Sequence, residues 1–170
     1  MKKTSVTMIT QAAIIAALYV VLTMIANAMG LANYAIQVRF SESLCVLPFF
    51  TVAAVPGLYV GCLIANVLTG AAIWDILFGS LATLIGAIGT YLLRKHKFLM
   101  TLPPVIANVI IVPLVLRYGY GITWEYEGQD LAIPYFATTV GIGEIISVCI
   151  LGSLLLKMLM PYKNVVFKND

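Results

Sequence analysis

Charged side chains interrupt this chain so rarely that the intervals between them read as helices. Val6 to Gly30 is uncharged, as are Ser43 to Trp74, Ile76 to Leu93, Phe98 to Leu116 and Ile145 to Leu156. A membrane-spanning helix needs about 20 predominantly apolar residues. The first interval supplies one. The stretch from Glu42 to about Ala72 is too long for one helix and carries Pro48, Pro56 and Gly57, which predicts two helices meeting near Val55–Pro56. Further spans are expected from Ile73 to Leu93, from Phe98 to Arg117 and from Pro134 to Met160. The pattern predicts an all-α membrane protein with six transmembrane helices, organised as one integral-membrane domain over residues 1–170.

Composition agrees with lipid as the solvent. Apolar residues make up 62% and charged residues 10% of the chain, and mean hydropathy is +1.02. A small fold has too little interior to hide that much apolar surface from water. A secreted disulfide scaffold, a disordered tail and a nucleic-acid binder are thereby excluded. The net charge of +3 gains meaning from its placement. With six spans, Lys2, Lys3, Arg94, Lys95, Lys97, Lys157, Lys163 and Lys168 fall on one side, leaving only Arg39 and Arg117 at the other. Basic residues are retained in the cytoplasm, so both termini are expected there. The outer loop, Tyr118 to Asp130, is acidic and aromatic. Ala26-Asn27-Ala28 imitates a signal-peptide cleavage site, but the preceding apolar run exceeds the roughly 7–15 residues of a signal core, so a retained helix is expected.

No Gly-rich phosphate loop is present, so ATP is not bound in that way. Cys45, Cys62 and Cys149 lie in separate spans and read as small core residues. His96 is the only histidine and sits in a basic loop, which leaves no histidine-rich metal site and no Ser-His pair in the membrane. No motif supports catalysis. The spans also show no internal duplication of the kind found in inverted-repeat carriers.

The chemistry lies in polar residues at membrane depth. Arg39 and Glu42 are expected at the outer mouth of the second span, Asn66 near the outer end of the third, and Trp74 and Asp75 in the first turn of the fourth. Counting along the helices at about 1.5 Å per residue puts Asn108 and Glu144 at matching depth, roughly 15 Å below the outer surface. Intramembrane ionisable groups face a cavity or one another, and an outward-opening cavity accounts for all of them. Asn66 reads equally as an interhelical hydrogen-bonding group, and Asp75 as an acid complementing a helix N-terminus. Glu144 follows Gly141 and Gly143, which open the helix surface beside it. Three acids against one arginine suit a ligand rich in donors or positively charged. Tyr34, Trp74, Tyr118, Tyr120, Trp124, Tyr126, Tyr135 and Phe136 gather on the same side, either as an interfacial belt or as stacking partners for a planar ring. In the first span, Ala12 and Ala16, with Ala13 and Ala17 beside them, form a small-residue stripe that permits close helix approach, within the bundle or to another membrane subunit.

Gln37-Val38-Arg39-Phe40-Ser41-Glu42-Ser43-Leu44, then Pro48-Phe49-Phe50 and Ala54-Val55-Pro56-Gly57, resemble the QueT family. So do Gly61-Cys62-Leu63-Ile64-Ala65-Asn66, Trp74-Asp75-Ile76, Phe78 to Thr83, Leu102 to Asn108 and Val140-Gly141-Ile142-Gly143-Glu144. Val52 stands where relatives are expected to carry proline. The resemblance implies the substrate-binding S component of an energy-coupling factor importer in a prokaryotic plasma membrane. It implies a queuosine precursor as ligand, a 7-deazaguanine base in its aminomethyl form. Ala12 and Ala16 would dock a shared transmembrane component, and two partner ATPase subunits would use the ATP, so no cofactor is expected in this chain. The substrate-binding residues expected are Arg39, Glu42, Asn66, Trp74, Asp75, Asn108, Tyr118 and Glu144, with Ala12, Ala13, Ala16 and Ala17 for docking. The alternative is a self-sufficient carrier of a cationic heteroaromatic solute with Glu144 as its proton site.

Overall fold

Backbone amides and carbonyls in lipid must find partners within their own segment, which leaves the helix as the element by which one apolar stretch crosses. The computed structural model describes residues 3–31 and 38–167, and helices fill each apolar interval. Tyr34, Gln37, Lys2 and Lys168 lie outside the described residues. Helix α1 runs Lys3–Ala28, α2 Ala54–Leu68, α3 Ser80–Leu92, α4 Leu102–Leu114, α5 Ala132–Glu144, α6 Gly152–Leu159 and α7 Lys163–Val166. Widened π turns precede α3 (Asp75–Gly79), follow α4 (Val115–Gly119) and join α5 to α6 (Ile145–Leu151). Four continuous stretches are long and apolar enough to cross a bilayer: Val6–Ala28, Asp75–Leu92, Leu99–Gly119 and Ala132–Tyr162. The chain is an all-α membrane protein, its only described strands being a small hairpin in one connecting loop.

Two apolar helices are shorter, Phe40–Phe49 and α2. They meet across Phe50–Ala53 and not at Val55–Pro56. Pro56 falls in the first turn of α2, where the missing N–H has no intrahelical partner to lose. The Phe40–Phe49 element is a 3₁₀ helix with Pro48 inside it. Runs this long are uncommon, and at about 2.0 Å per residue it spans only about 20 Å. Ser41 through Pro48 are buried without exception, so the element is a central post. It contacts α1, α2, α3 and α6.

Outside the post, sequential helices are neighbours: α1 with α2, α2 with α3, α3 with α4 and α4 with α5. Glycines set the tightest of these approaches. A Cβ on Gly57 would stand 2.7 Å from the Ala12 carbonyl oxygen, and one on Gly61 would stand 2.8 Å from the Tyr19 Cβ. Gly57 and Gly61 therefore receive Ala12, Ala16 and Tyr19 directly against the α2 backbone. Ala12, half-buried, and Ala16, buried, thus pack against α2 within the bundle. Ala13 and Ala17, one residue on, are exposed.

The loop between α4 and α5 closes as a hairpin, β1 (Glu125–Tyr126) against β2 (Gln129–Asp130), with Glu125 opposite Asp130. Glu127 and Gly128 both take positive φ, as a tight primed turn requires. Arg117 forms an ion pair with Asp130, whose carboxylate also accepts the Ala132 amide at 3.0 Å. The amides of Ala132 and Trp124, then Arg117, hold the Asp130 carboxyl below its ordinary value. Trp124 stacks on Tyr135 with centroids 4.1 Å apart.

The α1–α2 contact has a direct test. Gly61→Leu drives a side chain into Tyr19 and Ala16, and overpacking of this kind costs about 1–3 kcal/mol. Thermal unfolding in detergent should show that loss, whereas Ala13→Leu on the exposed flank should be nearly neutral.

Candidate functional site

A 3₁₀ helix has three residues per turn, so positions i and i+3 eclipse. Arg39, Glu42 and Cys45 accordingly share one face of the central post. Glu42 is buried, at 1% exposure. The Tyr19 hydroxyl donates to Glu42 Oε1, and Cys45 Sγ donates to Oε2 at 3.1 Å. One turn along α1, Thr23 donates to Ser41 Oγ at 2.9 Å. Both carboxylate oxygens of Glu42 are thus engaged by the protein itself.

Arg39 precedes this helix in extended conformation (φ −104°, ψ 106°) and is half-buried. Among the described residues its guanidinium makes no ion pair or hydrogen bond. It stands between two small cavities. One, of about 80 Å³, is lined by Thr23, Asn27, Asn66, Thr69 and Asp75 among others. The second, of about 10 Å³, is lined by Arg39, Asn108, Val112, Val140 and Glu144. Asn108 and Glu144 are 4% and 7% exposed, yet Asn108 Nδ2 and Glu144 Oε2 have no hydrogen-bond partner. Ser147 Oγ, in the π turn after Glu144, is unpartnered as well. Nearly all buried polar groups in native proteins are paired, so an orphaned donor and acceptor in one cavity call for an explanation. Glu42 and Arg39 act on Glu144 through their charge, and the Asn108 amide is a close hydrogen-bonding neighbour of its carboxyl although the two fall short of normal hydrogen-bond geometry.

Around the first cavity the polar residues are tied together. Asn66 Nδ2 donates to the Asp75 carbonyl at 3.0 Å, joining the last turn of α2 to the start of the α3 stretch. Gly70 (φ 70°) closes α2, and Ala71 N returns to the Asn66 carbonyl at 3.0 Å. The Asp75 carboxylate accepts the Tyr120 hydroxyl, which itself accepts the Ala72 amide at 3.3 Å. Partial burial and the adjacent Asp75 push the Tyr120 phenol up, so it remains a donor.

Of the substrate-binding residues expected, Arg39, Asn66, Asp75, Asn108 and Glu144 line these two cavities, and Glu42 lies one turn behind Arg39. Trp74 and Tyr118 do not join them. They line a separate apolar groove of about 490 Å³ between the α3 and α4 stretches, where Trp74 stacks on Phe78 at 6.0 Å. Helix neighbours i and i+1 do not share a face, so Asp75 inside the bundle turns Trp74 outward. Arg117 pairs with Asp130 and also lies over the Tyr118 ring, 5.7 Å from its centroid. Tyr19, Thr23, Cys45, Tyr120 and Ser147 are site neighbours that spacing did not single out. A tyrosine at the inner edge of the alanine stripe was the one available signal. No group of three or more His, Cys, Asp or Glu side chains among the described residues is arranged to hold a metal ion.

Comparison with known proteins gives this arrangement a family. The family model described as "QueT transporter" matches residues 9–161. A protein of Lactococcus lactis subsp. cremoris (strain MG1363) named "Queuosine precursor transporter QueT" is 36% identical over 98 residues, which is 57% of this chain and 57% of that relative. The match therefore spans under two thirds of the relative's length. No solved structure matches. With nine-tenths of its length covered by the family model, a chain of apolar helices around a buried polar cavity belongs to the QueT transporter family, a family of transporters and not of enzymes.

Proposed function

We propose that this chain is the substrate-binding S component of an energy-coupling factor importer, capturing a queuosine precursor for uptake driven by partner ATPases. The proposal includes six passes, with the Phe40–Phe49 helix and α2 as the second and third, cytoplasmic termini, and a prokaryotic plasma membrane. The observation that carries it is the free donor and free acceptor, Asn108 Nδ2 and Glu144 Oε2, beside the unpaired Arg39. A 7-deazaguanine edge offers a ring N–H and an exocyclic amine to one carboxylate, and its keto oxygen accepts from an amide. Glu144 and Asn108 match those needs in that order. The aminomethyl group is an ammonium at neutral pH, and Asp75 in the adjoining cavity suits it. Glu42, with both oxygens engaged by Tyr19 and Cys45, fixes the post that carries Arg39 and does not read the base. Ligand pockets usually measure roughly 300–1,000 Å³. Cavities of about 80 and 10 Å³ admit a bicyclic base only once Arg39 swings out of the wall they share.

Glu144→Gln replaces an acceptor with a donor facing the ligand's donor. Stranding buried polar groups costs about 1–3 kcal/mol each, so affinity for the aminomethyl base should fall at least about tenfold in a binding titration. A deazapurine lacking the exocyclic amine should bind the wild type weakly and lose far less. Equal losses for both ligands would refute the assignment of Glu144 to the base edge. Trp74→Ala, outside the cavity, should leave affinity within about twofold.

Docking to a membrane partner falls to the exposed Ala13 and Ala17. Ala13→Trp or Ala17→Trp should abolish uptake in proteoliposomes containing the partner subunits while ligand binding persists. Uptake by the chain alone would instead favour a self-sufficient carrier using Glu144 as its proton site.

A further inference from the structure

The end of the bundle opposite the acidic loop carries a groove that substrate capture does not use. It has a volume of about 680 Å³ and is lined by Lys97, Phe98, Ser153, Leu156, Lys157 and Met160, with Pro161 at its edge. Lys97 and Phe98 come from the connection between α3 and α4, and the rest from α6 and the turn that follows it. Phe98 is 92% exposed, an extreme value for an aromatic ring.

Among the described residues the charges on this groove have no acidic partner. Neither Lys97 nor Lys157 forms an ion pair, hydrogen bond or ring contact among the described residues, whereas Arg94 lies over Tyr91 and Lys163 over Phe49. No acidic residue occurs anywhere in 76–124 or 145–169, the stretches that build this end. Two free ammonium groups therefore stand on the rim of an apolar trough whose far wall, Leu156 and Ser153, climbs α6 toward the membrane interior. A soluble anion would satisfy the lysines and leave the trough wet. An apolar peptide would fill the trough and leave the lysines unpaired. A molecule with a phosphodiester at one end and a hydrocarbon chain at the other satisfies both, and basic pockets between membrane helices are suited to such headgroups.

We propose that this groove binds one anionic phospholipid. Its phosphate lies between Lys97 and Lys157, its glycerol region lies against Phe98, and one acyl chain follows Leu156 and Ser153.

The test is native mass spectrometry of the full chain released from bilayers of equal phosphatidylglycerol and phosphatidylcholine. One retained phosphatidylglycerol per chain is expected, in preference to phosphatidylcholine. Lys97→Gln with Lys157→Gln should lower its retention about ten- to thirtyfold, from the contribution of each basic residue at a lipid surface. Lys95→Gln with Lys163→Gln removes the same charge at the same end and should retain the lipid. Ser153→Phe fills the trough without changing charge and should displace it, with thermal unfolding confirming that each variant is folded. Equal retention of both lipids, or equal loss in the two double variants, overturns the proposal. So does retention that survives both the paired lysine change and Ser153→Phe, which would leave the groove to a protein partner.

Discussion

A carboxylate buried at 1% exposure in a lipid-facing bundle must be given donors, and the way Glu42 receives them organises the molecule. One donor, Tyr19, comes from α1 and the other, Cys45, from the next turn of its own helix. The second lies three residues on, where the 3₁₀ repeat places it directly on the Glu42 face. The same repeat carries Arg39 to the end of the same face, at the boundary of the two polar cavities. The long 3₁₀ helix, the position of Tyr19 and the placement of the guanidinium thus meet at one acid.

Tyr19 reaches Glu42 only because α1 lies against the α2 backbone at Gly57 and Gly61. This contact matters more for α1 than for the other spans. Only 17% of its apolar window is buried, against 39% in each of the other three long stretches. A helix so exposed to lipid gains little from area, since lipid is as apolar as its own side chains. Close backbone approach and the polar links from Tyr19 and Thr23 hold it instead. Its outward face, including Ala13 and Ala17, is left uncovered. The same helix thus carries both this uncovered face and the tyrosine that binds Glu42.

The long spans were legible because charges bound them, and the shared depth of Asn108 and Glu144 followed from helix rise alone. Other features depend on information that residue spacing does not carry. Ala12–Ala16 and Ala13–Ala17 are equivalent stripes about 100° apart on the helix, and only the position of Gly57 and Gly61 on a different helix decides which faces inward. Trp74 and Asp75 look like one site when read as neighbours, yet the roughly 100° between consecutive helical residues sends them to different surroundings. Pro56 marks a helix start as readily as a break, which displaced the expected junction. A 3₁₀ helix of ten residues has no sequence signature, and the buried acid in its first turn does not announce it.

The two buried glutamates take opposite roles for a physical reason. Glu42 has its partners within the fold, so ligand removal leaves it satisfied. Glu144 sits where a π turn begins, and its Oε2 has no hydrogen-bond partner among the described residues. Asn108 and Ser147 are unsatisfied in the same region. Leaving such a group without any partner costs about 1–3 kcal/mol, a penalty that water or a complementary polar ligand in the cavity relieves. That penalty is selective. A ligand of the right shape but lacking donors leaves Glu144 unpaired and gains nothing from displacing Arg39. On the proposed reading, discrimination rests on polar atoms that the fold leaves open, more than on the fit of apolar walls.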